Sequence, residues 1–204
     1  MFIVFEWGEW AGKTTQLNNT KNYLEGIWKK VYLTREPGWS WSVIAEKIRT
    51  LIKDPENKSM DNLTELFLFL ASRAQHVNEV ILPKLNDWYI VISDRYYWSN
   101  LAYQHYARWL FDYEILKYLN NLATSELYPD LTIYFDLDAQ KWLSRRDDLS
   151  KCRLDSESLN FHENVRRWFH EIIKKEENWY LIDAWQEWQE KVFEDIQKLI
   201  DKYI

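Results

Sequence analysis

A chain of 204 residues, 28% charged and 47% hydrophobic, with a formal net charge of −6 at pH 7, is long enough for one domain with a substantial core and too acidic for a dedicated nucleic-acid binder. Its single cysteine, Cys152, excludes an internal disulfide, and no apolar run reaches membrane-spanning length, so the sequence reads as cytoplasmic with neither nucleic acid nor membrane as partner. Tryptophan is abundant and glycine scarce, 13 against 4. Trp28, Trp39 and Trp88 each follow residues whose turn chemistry calls for glycine.

The apolar run Phe2–Phe5 predicts a strand, and after a brief turn Gly12-Lys13-Thr14-Thr15 heads a predicted helix, Thr15–Glu25. That order builds a phosphate-binding loop. Unpaired backbone N–H groups at the turn and helix start attract phosphate oxygens, Lys13 supplies a point charge, and the Thr14 hydroxyl suits Mg²⁺. Trp7 takes the place of the first glycine of the full pattern and Trp10 lies inside the loop, where an indole would crowd the phosphate seat.

Strand Lys30–Thr34 leads to Arg35-Glu36-Pro37-Gly38. Pro37 predicts a rigid turn to which both trans and cis forms are open, and Arg35 and Glu36 read either as binding-loop residues or as a solvated pair. Helices follow at Ser42–Ile52 and Asn62–Leu85, the second as one long helix. Phe69 and Arg73, four apart, share one face of it. A ring and a guanidinium so placed suit stacking on a base and bonding to its edge, although Leu66, Phe67 and Leu70 around Phe69 also suit a plain core role.

Strand Tyr89–Ser93 ends in Asp94-Arg95-Tyr96, a carboxylate suited to Mg²⁺ beside a guanidinium suited to phosphate. Helices at Leu101–Tyr106 and Asp112–Ser125, strand Leu131–Leu137 and helix Gln140–Arg146 come next. Arg145, Arg146, Lys151 and Arg153, interrupted by Asp147 and Asp148, read as a solvated run or as a basic lid over a transferring phosphoryl group. Helix Ser158–Glu176, strand Trp179–Ile182 and helix Gln186–Lys202 close the chain. Short apolar strands alternating with helices predict an α/β fold with a mostly parallel sheet covered on both faces, and ligands outside the carboxyl ends of its strands.

Phe5-Glu6-x-Gly8-Glu9-x-Ala11-Gly12-Lys13-Thr14-Thr15-Gln16, Thr34-Arg35-Glu36-Pro37-Gly38, Phe69-x-x-x-Arg73, Asp94-Arg95-Tyr96-x-x-Ser99-x-x-Ala102-Tyr103-Gln104, Tyr128-Pro129-Asp130-Leu131-Thr132 and Arg153-Leu154-Asp155 stand in an order and spacing that together resemble bacterial thymidylate kinase over essentially the whole chain. The resemblance implies a three-layer P-loop nucleoside-monophosphate-kinase fold with a five-stranded parallel sheet, one domain over residues 1–204 with a lid around 144–156. It implies a homodimer that phosphorylates dTMP to dTDP with ATP and Mg²⁺. It places Gly8, Glu9, Ala11, Gly12, Lys13, Thr14 and Thr15 at ATP and Glu9, Glu36, Phe69, Arg73, Arg95, Asn100, Tyr103 and Gln104 at dTMP. Thr14 and Asp94 fall at the metal, and Lys13, Arg95, Glu9, Arg153 and Arg145 at the chemistry, with Arg146 as another lid candidate.

Trp7, Trp10, Trp39, Trp109, Trp142 and Trp168 stand where the family pattern has glycine, and Trp98 where a small or acidic residue is usual. Two rivals follow. Indoles filling the phosphate seat, with Trp39 and Trp98 crowding the acceptor side, would leave a kinase-fold scaffold that binds no nucleotide. Alternatively, the acceptor is another deoxynucleoside or its monophosphate.

Overall fold

The computed structural model describes residues 1–7, 13–38, 41–103, 112–138, 159–184 and 189–204, with Trp7, Lys13 and Gln189 as backbone only. Strands β1 (Phe2–Trp7), β2 (Val31–Arg35), β3 (Ile90–Asp94), β4 (Leu131–Asp136) and β5 (Trp179–Asp183) form one sheet in the order β2-β3-β1-β4-β5. Every pairing is parallel. The apolar runs explain this: a strand covered by helices on both sides can be hydrophobic at every position, and Ile3, Val4 and Phe5 of the central β1 are wholly buried.

Alternate side chains of each strand feed two different cores. Phe2, Val4, Val91 and Tyr134 join the cluster on one face, and Ile3, Phe5, Ile92, Ile133 and Phe135 the cluster on the other. The first face is covered by α3 (Asn62–His76), α5 (Tyr97–Asn100), α6 (Tyr113–Thr124) and α7 (Leu159–Ile173), through Leu66, Tyr97, Leu116 and Phe169. The second is covered by α1 (Lys13–Gly26) and α8 (Gln189–Ile200), through Leu24, Val192 and Ile196. At about 1.5–3 kcal/mol for each fully buried large apolar side chain, these two layers hold the sheet. α2 (Val43–Lys53), capped by Ser42 through the Ala45 N–H, packs outside α3.

The long helix expected over Asn62–Leu85 is interrupted. α3 ends at His76, a wide π-helical turn spans Val77–Ile81, and α4 (Leu82–Asn86) resumes. Pro83 supplies the reason, because it lacks the N–H that would bond Glu79 in an unbroken α-helix, and the widened turn bonds Leu82 N–H to Val77 O instead. The helix expected from Leu101 begins earlier, at Tyr97, which brings Ser99 into its first turn. The helix expected at Gln140–Arg146 lies outside the described residues.

Two of the tryptophans flagged from turn chemistry, Trp28 and Trp88, adopt the left-handed conformation, each at φ 64°. Trp98 does not crowd the acceptor side. Its ring is buried in the first core, 5.0 Å from that of Trp179 and 6.2 Å from that of Trp168.

Candidate active site at the carboxyl end of the sheet

β3 ends in a turn that places Arg95 at φ 71°, a conformation costly for a residue with a Cβ. Neighbouring strands fix that turn. Arg95 N–H donates to Phe5 O at 2.9 Å, Glu36 N–H to Asp94 O at 2.9 Å, and Ser93 Oγ to Arg95 O at 2.7 Å. Tyr96 N–H donates to Glu6 Oε1 at 2.9 Å, and Ser99 Oγ, one helical turn on, donates to Glu6 Oε2 at 2.6 Å. The Arg95 side chain then runs past Ser99 and Tyr103, with Nη1 3.4 Å from each hydroxyl. Asp94 Oδ1 is buried and accepts no hydrogen bond among the described residues.

Glu6 sits fully buried at the end of β1. Burial pushes its carboxyl up to about 7, only partly offset by Ser99 and the charge of Arg95. No such role was expected of Glu6 from the sequence. A carboxylate closing an otherwise apolar strand was the available signal.

At the end of β2 the expectation of a solvated Arg35–Glu36 pair fails. Glu36 is 4% exposed and faces inward across a cis peptide to Pro37. Arg73 Nε donates to Glu36 Oε2 at 2.6 Å, and His76 Nδ1 lies 3.4 Å from Oε1, while His76 Nε2 meets Thr34 Oγ1 at 2.6 Å. Burial favours the neutral acid, but the Arg73 charge and His76 outweigh it and hold Glu36 below the usual carboxylate range. Arg73 Nη1 also donates to Asn120 Oδ1 at 2.7 Å and Nη2 to Tyr96 O at 3.4 Å, which uses three of its five N–H groups. His76 and Asn120 were missed because their partners lie 40 and 47 residues away in sequence.

Phe69, one turn before Arg73, is buried yet joins neither core cluster among the described residues, while Phe67 turns outward. Asn100 is 3% exposed and its Nδ2 has no hydrogen-bond partner among the described residues. Tyr103 is buried beside Arg95. Thr14 and Thr15 are exposed in the first turn of α1, the next described element after β1.

A second cluster closes β4. Arg166 of α7 grips Asp136 with two hydrogen bonds of 2.7 Å and reaches Asp138 at 3.1 Å, and His170 Nε2 lies 3.0 Å from Asp136. Beside it opens a cleft of about 360 Å³ lined by Asp138, Glu163, Arg166, Arg167 and His170.

The family model for thymidylate kinase matches residues 5–196 of this chain. The chain belongs to the thymidylate kinase family. It is 44% identical to a thymidylate kinase of Finegoldia magna over 187 residues, 91% of each chain, and 38% identical to one of Thermosipho africanus over 100% of this chain and 99% of that one. Among solved structures, a thymidylate kinase from Ehrlichia chaffeensis superposes with a TM-score of 0.76 at 32% identity, covering 98% of both chains. The fold is thus that of a P-loop nucleoside monophosphate kinase, and the blocked scaffold and the other acceptors find no support among these relatives.

On this thymidylate kinase frame, Glu36, Arg73, Arg95, Asp94 and Tyr103 converge at the carboxyl ends of β2 and β3, as a ligand site in a parallel sheet requires, and Asn100 lies in α5, which follows β3. Gly8, Glu9, Ala11, Gly12, Gln104, Arg145, Arg146 and Arg153, together with Trp7's indole, Trp10, Trp39 and the Lys13 side chain, lie outside what is described.

Proposed function

We infer that this chain transfers the γ-phosphoryl group of ATP to dTMP, giving dTDP. One observation supports the arrangement best: Arg95 is held in a strained turn with its guanidinium beside Tyr103, while Asp94 at the same strand end has a buried oxygen with no partner among the described residues. Phosphoryl transfer asks a protein chiefly to align two phosphates and offset spreading charge. Arg95 would bridge the acceptor phosphate and the transferring group, and Lys13 with the N–H groups of the loop would seat the donor phosphates. Phe69 would stack on thymine, and the two N–H groups of Arg73 that bond no described residue would meet its carbonyl edge. Asn100, Gln104, Glu9 and Glu36 would complete the acceptor pocket, and Tyr103 would pack where a 2′-hydroxyl would project.

The donor set fits Mg²⁺. Among the described residues no three His, Cys, Asp or Glu side chains gather to cage a metal, and Mg²⁺ beside phosphates takes only one or two protein oxygens. Asp94 and Thr14 would hold it, and it would supply charge neutralisation across the donor phosphates. Arg145, Arg146 or Arg153, from a lid around 144–156, would add charge over ATP within a single domain.

A homodimer is supported by the outer face of α2, α3 and α6, where Ile44, Leu51, Phe67, Ile115, Tyr118 and Leu122 are exposed. Among the described residues no helix is long and apolar enough to cross a membrane.

The reaction is tested by following dTDP formation from dTMP and Mg·ATP. Lys13→Ala is expected to lower turnover by about 100-fold or more, and a rate near that of the parent would remove Lys13 from its role. Arg73→Ala is expected to raise KM for dTMP about tenfold or more with KM for ATP little changed. Equal losses for both would displace thymine from this slot.

A further inference from the structure

We propose that Glu6 is a positioning residue for the transfer: its two carboxylate oxygens clamp the turn that aims Arg95 at the phosphates. The proposal rests on the reading that Arg95 contacts the transferred group, and adds the group that holds Arg95 there.

The geometry is specific. Glu6 is the last residue but one of β1, Arg95 follows β3, and the two strands are neighbours in register, Phe5 opposite Asp94. Glu6 spends one oxygen on Tyr96 N–H, the residue after Arg95, and the other on Ser99 Oγ, four residues after it. Phe5 O takes Arg95 N–H itself. The left-handed residue is therefore tied on both sides by β1. Arg95 Nη1 reaches the same Ser99 hydroxyl that donates to Glu6, so backbone and side chain of Arg95 are fixed through one carboxylate.

No apolar residue could replace it without leaving the buried Tyr96 N–H unpaired and taking from the half-buried Ser99 hydroxyl the acceptor for its proton. Simple packing would not call for an acid at a position with no solvent exposure. A left-handed arginine persists only where its surroundings over-determine it, and Glu6 supplies two of the tethers.

The test is a kinetic double-mutant cycle on the full chain with dTMP and Mg·ATP. Arg95→Ala is expected to lower kcat about 10³-fold. Glu6→Ala is expected to lower kcat about 30-fold with KM for ATP changed less than about twofold, and Glu6→Gln, which keeps an acceptor for Tyr96, to stay within about threefold of the parent. The double variant Glu6→Ala, Arg95→Ala is expected within about threefold of Arg95→Ala alone, because a positioning residue has nothing left to position. Multiplying losses, or an unchanged kcat in Glu6→Ala, would overturn the proposal while leaving the role of Arg95 intact. An unchanged kcat in Arg95→Ala would remove the underlying reading, and the proposal with it. If Glu6→Ala fails to fold, Ser99→Ala cuts one tether and keeps the acid. A loss of about fivefold, absent in the Arg95→Ala background, supports the proposal, and a loss that persists there overturns it.

Discussion

Left-handed residues stand at both ends of the sheet, and the two ends treat them differently. At the carboxyl end, Arg95 at φ 71° is tied on and around its peptide groups by hydrogen bonds donated to Phe5 O and Glu6 Oε1 and by one accepted from Ser93 Oγ. At the amino end, Trp28 and Trp88 at φ 64° lie before β2 and β3 with side chains 94% and 89% exposed. The same backbone strain is held by neighbouring strands and side chains in one place, and in the other only by the carbonyls of the helix turn just before it, Glu25 and Leu24 for Trp28 and Leu85 and Lys84 for Trp88. Strain held by converging bonds points to a group that must project in one direction, whereas strain around an exposed indole points only to a turn shaped for glycine.

Replacing each of the three by glycine separates these cases. Arg95→Gly relieves the backbone but removes the guanidinium, so kcat is expected to fall about 10²–10³-fold while the denaturation midpoint holds or rises. Kinetics and urea unfolding on one preparation check both halves. A lost midpoint with retained turnover would reverse the assignment of function to that turn.

The carboxyl end also holds two buried acids with opposite tendencies. Glu36 faces the Arg73 guanidinium and stays below the usual range, so its stabilisation is present above pH 4.5 and is lost as pH falls through its folded value. Glu6, raised from 4.5 to about 7 by burial, binds its proton more tightly when folded. Its contribution is therefore full below pH 4.5 and declines as pH rises toward about 7. Glu6→Gln, a mimic of the neutral acid, is expected to remove a fall in stability on the order of 3 kcal/mol between pH 4.5 and 7. Unfolding free energies of parent and variant across that window check it, and parallel curves would show that Glu6 is ionised throughout.

Much of the site was legible because its residues cluster locally. Asp94-Arg95-Tyr96 closes an apolar run, and Phe69 with Arg73 shares a helical face, so strand ends and the 3.6-residue period were enough. The partners that make these residues rigid were not legible. Glu6 meets Tyr96 across 90 residues of sequence and Arg73 meets Asn120 across 47, pairings fixed only by the strand order β2-β3-β1 and the packing of α6 on α3. The widened turn at Val77–Ile81 was hidden for another reason. Pro83 signals a break, but apolar periodicity runs on through it and shows no boundary.

The amino end offers the smallest effect and the clearest arithmetic. A residue with a Cβ in the left-handed region costs roughly 1–2 kcal/mol, while glycine in the unfolded chain carries an entropic penalty of roughly 0.5–1 kcal/mol. The difference favours glycine wherever the side chain contributes nothing else, and indoles 94% and 89% exposed contribute little packing. The turn bonds are backbone ones, Trp28 N–H to Glu25 O at 3.0 Å and Trp88 N–H to Leu85 O at 3.1 Å, and glycine keeps both. Trp28→Gly and Trp88→Gly are therefore each expected to gain about 0.5–1 kcal/mol with turnover unchanged, read from urea midpoints at constant slope. A loss of stability at either position would mean that its indole holds a contact that 90% exposure conceals, and the contrast between the two ends of the sheet would dissolve.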